Sequence, residues 1–397
     1  MTKLFIISAG WEQESLLTAA KQLGHHIVAT HANRNAEGFK YANTTYVVDP
    51  RNILELYDIA VSEKIDGVIS DQCDYGYFAS AYIADRLGLP GAKLKTAQRV
   101  THKGRTRKTL KDNPHILQPK FNICENIEDA IAAAENIGFP LVAKPTDNRG
   151  SIGVTKVEDL SQLKTAYMVA LGQSHSREVL IEEFINGTEV AVDGYYLKDT
   201  GYRILSIASK QHSPNGLFDN EIVTPAKVSE DIIEKLATIT QHVVSGLGVD
   251  FGPTHIEYMV TPNKDVYLME AHNRGGGVYI SDKVNPLVSG IDTARCLIQD
   301  CLGMPYEDIY RKDKKAHTMI KFITLPPGKL LSAELNSPET FTDILVAFKI
   351  YAPMGRILPP VKDCATRHGF ITVCGNNTEE LCANFEKVYQ HLVLEYQ

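Results

Sequence analysis

The stretch Phe251–Gly277, FGPTHIEYMVTPNKDVYLMEAHNRGGG, constrains this chain more than any other. It holds an alternating run, a polar turn (Thr261, Pro262, Asn263, Lys264, Asp265), a second alternating run and a glycine triplet. Period-two alternation on both sides of such a turn predicts a β-hairpin. Each arm carries one carboxylate, Glu257 and Glu270. They lie thirteen positions apart, and a five-residue turn can bring them side by side across the pair, within about 5.5 Å. Two unpaired carboxylates that close repel unless a cation lies between them. Oxygen ligands of this kind suit Mg²⁺, which shares its shell with waters and phosphates. Strand glutamates taken alone are more often solvated. The continuation shifts that reading: Arg274 follows Glu270 by four places, and Gly275, Gly276 and Gly277 come next. A guanidinium and a row of backbone N–H groups suit a developing phosphate charge, although glycine runs are also common in loops.

With 397 residues the chain exceeds one small core, and two or three domains are expected. A net charge of −7 argues against nucleic acid or anionic membrane as the main partner. No apolar run reaches the ~20 residues of a membrane span. The opening MTKLFIISAG reads as a first β-strand, not a signal peptide. Seven scattered cysteines without C-x-x-C spacing disfavour a disulfide framework or a zinc site. Reduced thiols in a cytoplasmic protein are the expectation.

Leu4–Ser8, His26–Thr30, Thr45–Val48 and Gly67–Ser70 read as strands, with helices at Glu14–Leu23, Ile53–Glu63 and Tyr77–Leu87. Such alternation predicts a parallel, doubly wound sheet. The turn Ser8-Ala9-Gly10-Trp11 lacks G-x-G-x-x-G, which argues against a nicotinamide cofactor. Asp71, Gln72 and Asp74 end a strand, where such sheets bind substrate; they equally suit a helix cap. Arg99–Asp112 reads as one basic helical stretch that stops at Asn113-Pro114. Basic faces are usually solvated, but Lys103 and Arg107 share a side and suit phosphate.

A helix at Ile127–Ile137 precedes the apolar strand Pro140–Pro145, and Asp147–Val154 (DNRGSIGV) follows as a glycine-containing loop. Its N–H groups can approach phosphate, with Lys144 as a point charge, although no G-K-[ST] follows and a plain hairpin turn reads the same. Val179–Val192 reads as strand, linker and strand. The linker suits an adenine edge and ribose hydroxyls, or is a turn with solvated glutamates. Arg203–Lys210 reads as a strand and Gln211–Glu221 as a polar loop able to close over a site. Ile232–Leu247 and Ile291–Leu302 are helical, and a mixed segment fills 317–397.

Lys144, the glycine loop, the Glu182-Glu183-Phe184-Ile185 linker with Glu189, Lys210, Glu257, Glu270 and Arg274 come in an order that resembles the ATP-grasp superfamily. Within it the chain is most similar to carboxylate–amine ligases, in particular bacterial L-amino acid ligases that make dipeptides. The likeness extends to HKGRTRKTL and GRILPPVKDCATRHGFITVCG, and so to essentially the whole chain. It implies an ATP-grasp fold of α/β and α+β character. An N-terminal doubly wound parallel-sheet domain spans 1–112, a central lid 113–190, and a core with a C-terminal mixed segment 191–397.

The resemblance also implies roles. Lys103 and Lys144 would contact the α- and β-phosphates of ATP beneath the loop Asn148, Gly150, Ser151, Ile152 and Gly153. Glu182 and the backbone of Glu183 and Ile185, flanking Phe184, would hold adenine, and Glu189 the ribose. Lys210 would reach the phosphates from the other side. Glu257 and Glu270 would bind two Mg²⁺, with Mn²⁺ as a substitute. Arg274 would lie near the transferred phosphoryl group and the substrate carboxylate, with the Gly275–Gly277 amides on a carboxylate or oxyanion. One position departs from the family: Asn two places after the second glutamate is His272 here, with Asn273 next. His272 is a poor Mg²⁺ ligand and Asn273 would face away if the strand continued; His272 is therefore assigned to substrate.

The activity implied is joining of a small carboxylate to an amine through an acyl phosphate, releasing ADP and phosphate, with Arg274 and Lys210 as catalytic groups. Alternatives are carboxylation or formylation of a purine precursor, a non-catalytic nucleotide-binding protein, and a Rossmann oxidoreductase. Specificity is expected from Asp71–Tyr77, Gln211–Asn220 and the residues after Arg274, including Tyr279, Ser281 and Asp282. A homodimer through the N-terminal domain fits the family.

Overall fold

The structure is a computed structural model and describes residues 2–213 and 218–397. Strands β1 (Lys3–Ile7), β2 (His26–His31), β3 (Thr44–Val47) and β4 (Gly67–Ile69) form a parallel sheet in the order β3-β2-β1-β4. β1 is apolar on both faces because both are covered. Phe5 and Ile7 meet α2 (Ile53–Glu63) and α3 (Asp74–Leu87), while Leu4 and Ile6 meet α1 (Glu14–Gln22). The four strands expected from sequence are all present. The basic stretch differs: it is two helices, α4 (Leu94–Val100) and α5 (Lys103–Leu110), broken at Thr101-His102. His102 caps α5 by accepting from the Arg105 N–H, and Arg107 is 2% exposed, not solvated.

β5 (Phe121–Cys124), α6 (Ile127–Ile137), β6 (Leu141–Pro145), β7 (Thr155–Val157), α7 (Leu160–Gly172) and β8 (Val179–Glu183) build a smaller antiparallel sheet, β5-β8-β6-β7. Ala130, Ala133, Ala134, Ala166 and Ala170 let its two helices approach the strands closely. The chain leaves this sheet after Glu183 and enters the largest one at Thr188.

That sheet collects β9 (Thr188–Leu197), β10 (Gly201–His212) and β11 (Asp219–Thr224). Behind it lies α8 (Glu230–Leu247), followed by β12 (Gly252–Val260) and β13 (Val266–His272). A π-helical turn at Ile280–Val284, α9 (Asn285–Ser289) and α10 (Thr293–Cys301) come next; α10 covers the Leu4/Ile6 face of the N-terminal sheet. β14 (His317–Ile323), β15 (Lys329–Leu335), β16 (Leu345–Ile350), β17 (Arg356–Ile357), β18 (Gly369–Gly375), α11 (Thr378–Tyr389) and β19 (Leu392–Tyr396) complete the chain. The eight-stranded order is β13-β12-β9-β10-β11-β14-β18-β16, and β17-β15-β19 form a small separate sheet.

Helix α8 buries Ile232, Leu236, Ile239, Val243 and Leu247, one face at three-to-four spacing, in the cluster that holds Tyr258, Val266 and Leu268. The hairpin's other face is thereby left to the site. The loop expected at Gln211–Glu221 begins and ends as strand: Gln211 pairs with Glu221 and His212 with Asp219. Its tip, 214–217, lies outside the described residues. All seven cysteines are free. Among the described residues no helix is long and apolar enough to cross a membrane.

Candidate active site

β12 and β13 pair so that Glu257 stands opposite Glu270 and His255 opposite His272. Residues two apart share a strand face, so four polar groups crowd one patch. His255 Nδ1 lies 3.0 Å from Asp193 Oδ1 and its Nε2 3.2 Å from Glu257 Oε1. His272 Nδ1 lies 3.0 Å from Asp74 Oδ1 and its Nε2 3.2 Å from Glu270 Oε2. Burial lowers His255, but Asp193 and Glu257 outweigh it and raise the imidazole to about 9. Burial alone would raise both glutamates. Lys210 and His255 instead hold Glu257 well below the usual carboxylate range, and Lys103, His272 and Lys144 lower Glu270.

The cations come from three directions. Lys210 contacts Glu257, lies 2.8 Å from Glu189 and 3.7 Å from Asp219; burial opposes its charge, and these carboxylates drive its pKa well up. Lys103, the first residue of α5, lies 3.5 Å from Glu270 and donates to the Asn148 carbonyl at 2.5 Å. Lys144 contacts Glu182 and lies 3.8 Å from Glu270. Arg274 spends two nitrogens on Asp74, both at 3.0 Å, and a third on its neighbour's carbonyl.

All of them line one open cleft of about 630 Å³, between the smaller sheet, the large sheet and the segment Lys362–Arg367. That volume suits a nucleotide-sized ligand. Asn148, Gly150, Ser151, Ile152 and Gly153 form its roof. The loop needs its glycines: Gly150 (φ 62°) and Gly153 (φ 78°) lie in the left-handed region. Phe184, Ile185 and Glu189 line the far end.

Several assignments change on inspection. Glu182 is 1% exposed and locked between Arg107 (3.1 Å) and Lys144, so its carboxylate holds those cations in place. In the linker, the Glu183 N–H donates to Lys120 O and the Phe184 N–H to Pro140 O, while the Ile185 N–H has no acceptor among the described residues. The Gly275 N–H is already used on Asp71 Oδ1 at 2.7 Å, so it is not free to bind a substrate oxyanion. The Gly276 and Gly277 amides have no acceptor among the described residues. Asn273 faces away, as its position predicts. It accepts from the Tyr77 hydroxyl and donates to Phe251 O and Pro253 O. Asp71 anchors Ser281 and Gly275, and Asp74 anchors His272 and Arg274; neither acts as a helix cap. Both nitrogens of His272 are engaged by carboxylates, which makes it a link between Glu270 and Asp74.

Glu189, His212 and Asp219 also bring ligand-type atoms within 4.8 Å of one another. The Lys210 ammonium already pairs with both of those carboxylates, and the Glu189 hydrogen bond raises the His212 pKa. This is an ion-paired cluster. The hairpin pair has the chemistry for a magnesium ion: two ionised, directly opposed carboxylates on the cleft wall.

Residues 137–282 match the family model described as an ATP-grasp domain. Those residues are an ATP-grasp domain, and the chain has the ATP-grasp fold. A D-alanine–D-alanine ligase of Azobacteroides pseudotrichonymphae genomovar. CFP2 is 30% identical over 220 residues, 53% of this chain and 59% of that protein's own length. A formate-dependent phosphoribosylglycinamide formyltransferase of Trichormus variabilis is 23% identical over 351 residues, 87% of this chain and 85% of that one. The solved L-amino acid ligase of Bacillus licheniformis superposes over 100% of this chain and 99% of its own, with TM-score 0.84 and 21% identity. Such a likeness establishes the shared fold.

Proposed function

We propose that this protein is an ATP-dependent ligase that activates a small carboxylate as an acyl phosphate and joins it to an amine. The observation that carries the reading is the opposed pair Glu257 and Glu270, met by Lys103, Lys144 and Lys210 in one cleft with Arg274. ATP would lie under the loop Asn148–Gly153, with the free Ile185 N–H at an adenine edge and Glu189 near the ribose. Glu257 and Glu270 would hold magnesium; the expectation of two ions rests on the family resemblance. Bound there, magnesium would neutralise phosphate charge.

A substrate carboxylate oxygen would attack the γ-phosphorus as the bond to the β–γ bridging oxygen breaks, releasing ADP. A neutral amine would then attack the acyl carbon. The carbon–oxygen bond to phosphate breaks, and phosphate leaves with that electron pair and the amine proton. No protein nucleophile is needed. Lys144, Lys210 and Arg274 would act by position and charge. The D-alanine–D-alanine ligase and L-amino acid ligase likenesses support amino acids as the substrate class.

The length of the match to the formyltransferase supports a second reading, transfer of a formyl unit to a phosphoribosyl amine. Phosphate release from magnesium ATP over amino-acid pairs, and over formate with phosphorylated amines, tests both. Mass spectrometry of the product separates them, and ATP turnover with neither product would overturn the ligase reading.

A further inference from the structure

Of the three arginines that line the cleft, two already have carboxylates: Arg274 with Asp74 at 3.0 Å and Arg367 with Asp219 at 3.9 Å. Arg149, the third, has no carboxylate at ion-pair distance among the described residues, and its side chain is exposed to the cleft. It sits in the roof loop and reaches across to the N-terminal unit. One of its terminal nitrogens lies 3.4 Å from Cys73 Sγ, and its guanidinium stacks 5.3 Å over the Tyr75 ring. A guanidinium has five N–H donors in a planar fork, and this contact uses one.

A second donor stands nearby at the carboxyl end of β2. The His31 Nδ1 accepts from the Asn33 N–H at 2.9 Å, which leaves Nε2 as the nitrogen that can carry hydrogen. That nitrogen faces Gly10, where a Cβ would come within 3.3 Å of it. Gly10 lies two places after Ser8, whose Oγ is 3.5 Å from Cys73 Sγ, the atom that Arg149 meets, so His31 and Arg149 border the same strand ends from two sides. Both sit outside the carboxyl ends of the parallel strands, where open α/β sheets bind ligands.

We propose that Arg149 and His31 form a recognition site for a second anionic group, a carboxylate or a phosphate, on the carboxylate substrate. This deepens the ligase reading and rests on it. The loop that would cover the γ-phosphate also carries Arg149, so the substrate it meets first is the one that receives the phosphoryl group. Tyr75 ties the two events together. It takes Arg149 on its face and bonds His175 of the smaller sheet's unit at 3.2 Å through its hydroxyl. Closure of the roof would thereby place Arg149, and an anion there would favour closure.

The test is calorimetric titration of propionate, succinate and 3-phosphonopropionate into protein filled with magnesium and a non-hydrolysable ATP analogue. The expected result is that one dianion binds at least about tenfold more tightly than propionate. That preference is lost in Arg149→Met, weakened in His31→Gln and partly kept in Arg149→Lys, with analogue affinity within about threefold throughout. Succinate or phosphonopropionate as the tighter ligand tells carboxylate from phosphate. Equal binding of all three acids, or a preference that survives Arg149→Met, overturns the site. Because the readout is binding, a protein that makes no amide can still pass. A protein that makes amides only from monoanionic acids fails here while the ligase reading stands.

Discussion

On β12, His255 passes from Glu257 to Asp193, a residue 1% exposed on the adjacent strand β9. On β13, His272 passes from Glu270 to Asp74, the first residue of α3 in the N-terminal unit. The two arms carry the same residues in mirrored order, but their anchors differ. The first is fixed by the ladder of one sheet, with Lys210 from β10 as its cation. The second draws Lys103 from α5, Lys144 from β6 and Arg274 through Asp74. One carboxylate site is therefore built in, and the other is complete only when three parts of the chain meet. A site that must admit and release substrates gains from the second kind of construction, because parts that separate also open it.

The largest expected effect lies on the assembled arm. Arg274→Met should lower kcat by about 10²–10³ with the KM for ATP within about threefold, as for a group that acts on developing charge. Steady-state kinetics with the amine and carboxylate saturating would show it, and equal loss in both parameters would move Arg274 away from the transferred phosphoryl group. A matched pair then tests the comparison directly. Asp193→Asn leaves a buried His255 with one counter-charge, and should cost about 3–5 kcal/mol in urea unfolding. Asp74→Asn, at 14% side-chain exposure, should cost less stability but about tenfold or more in turnover. Equal destabilisation by the two would make both arms equally structural.

Much of the first arm was readable in the sequence, and much of the second was not. The hairpin announces itself by alternation around Thr261–Asp265, but counting out from that turn sets Glu257 against Met269; a register shift between Glu257 and Tyr258 brings it opposite Glu270 instead. His255 was also within reach, since it lies two places from Glu257 on the same face, but it reads as strand filler unless its partner is known. Asp193 is 62 positions from His255, and Asp74 is 198 from His272. Those pairings follow from strand order and domain contact, which local periodicity does not carry. Arg107 misleads for the same reason: its basic neighbourhood suggests solvent, while Glu182 waits 75 positions on. The polar run at Gln211–Glu221 reads as loop, yet His212 and Asp219 pair as strand and line the cleft. Its polarity marks the site and hides the strands.

The turn that continues the second arm should carry a cost of its own. Burial, with Asp71 adding to it, pushes the Asp282 carboxyl up to about 7 from an ordinary value of 3.8. Between those two values the unfolded chain ionises while the folded one keeps its proton, so folding loses stability as pH rises across that window and is level above it. Three pH units correspond to about 4 kcal/mol as an upper figure. Asp282→Asn should therefore stabilise the protein at pH 8 by up to a few kcal/mol and leave it nearly unchanged at pH 4. A melting difference that is flat from pH 4 to 8 would remove the buried acid from the account.

A smaller effect is expected one step earlier in the chain. Val278 and Tyr279 take φ of 51° and 65°, a left-handed pair in which a β-branched residue is strained. Glu12 packs against this turn: its Oε1 would lie 3.6 Å from a Cβ placed on Gly277. Val278→Gly removes the side-chain clash but also loosens the unfolded chain, and the two effects oppose each other. The balance should favour the variant by about 1 kcal/mol, because a bulky residue at positive φ costs more than the added chain entropy. Turnover should fall a few-fold as the glycine turn loses its fixed direction. If Val278→Gly instead melts lower and turns over unchanged, the strain is not held at this turn. The assembled arm would then be as relaxed as the one built into the sheet.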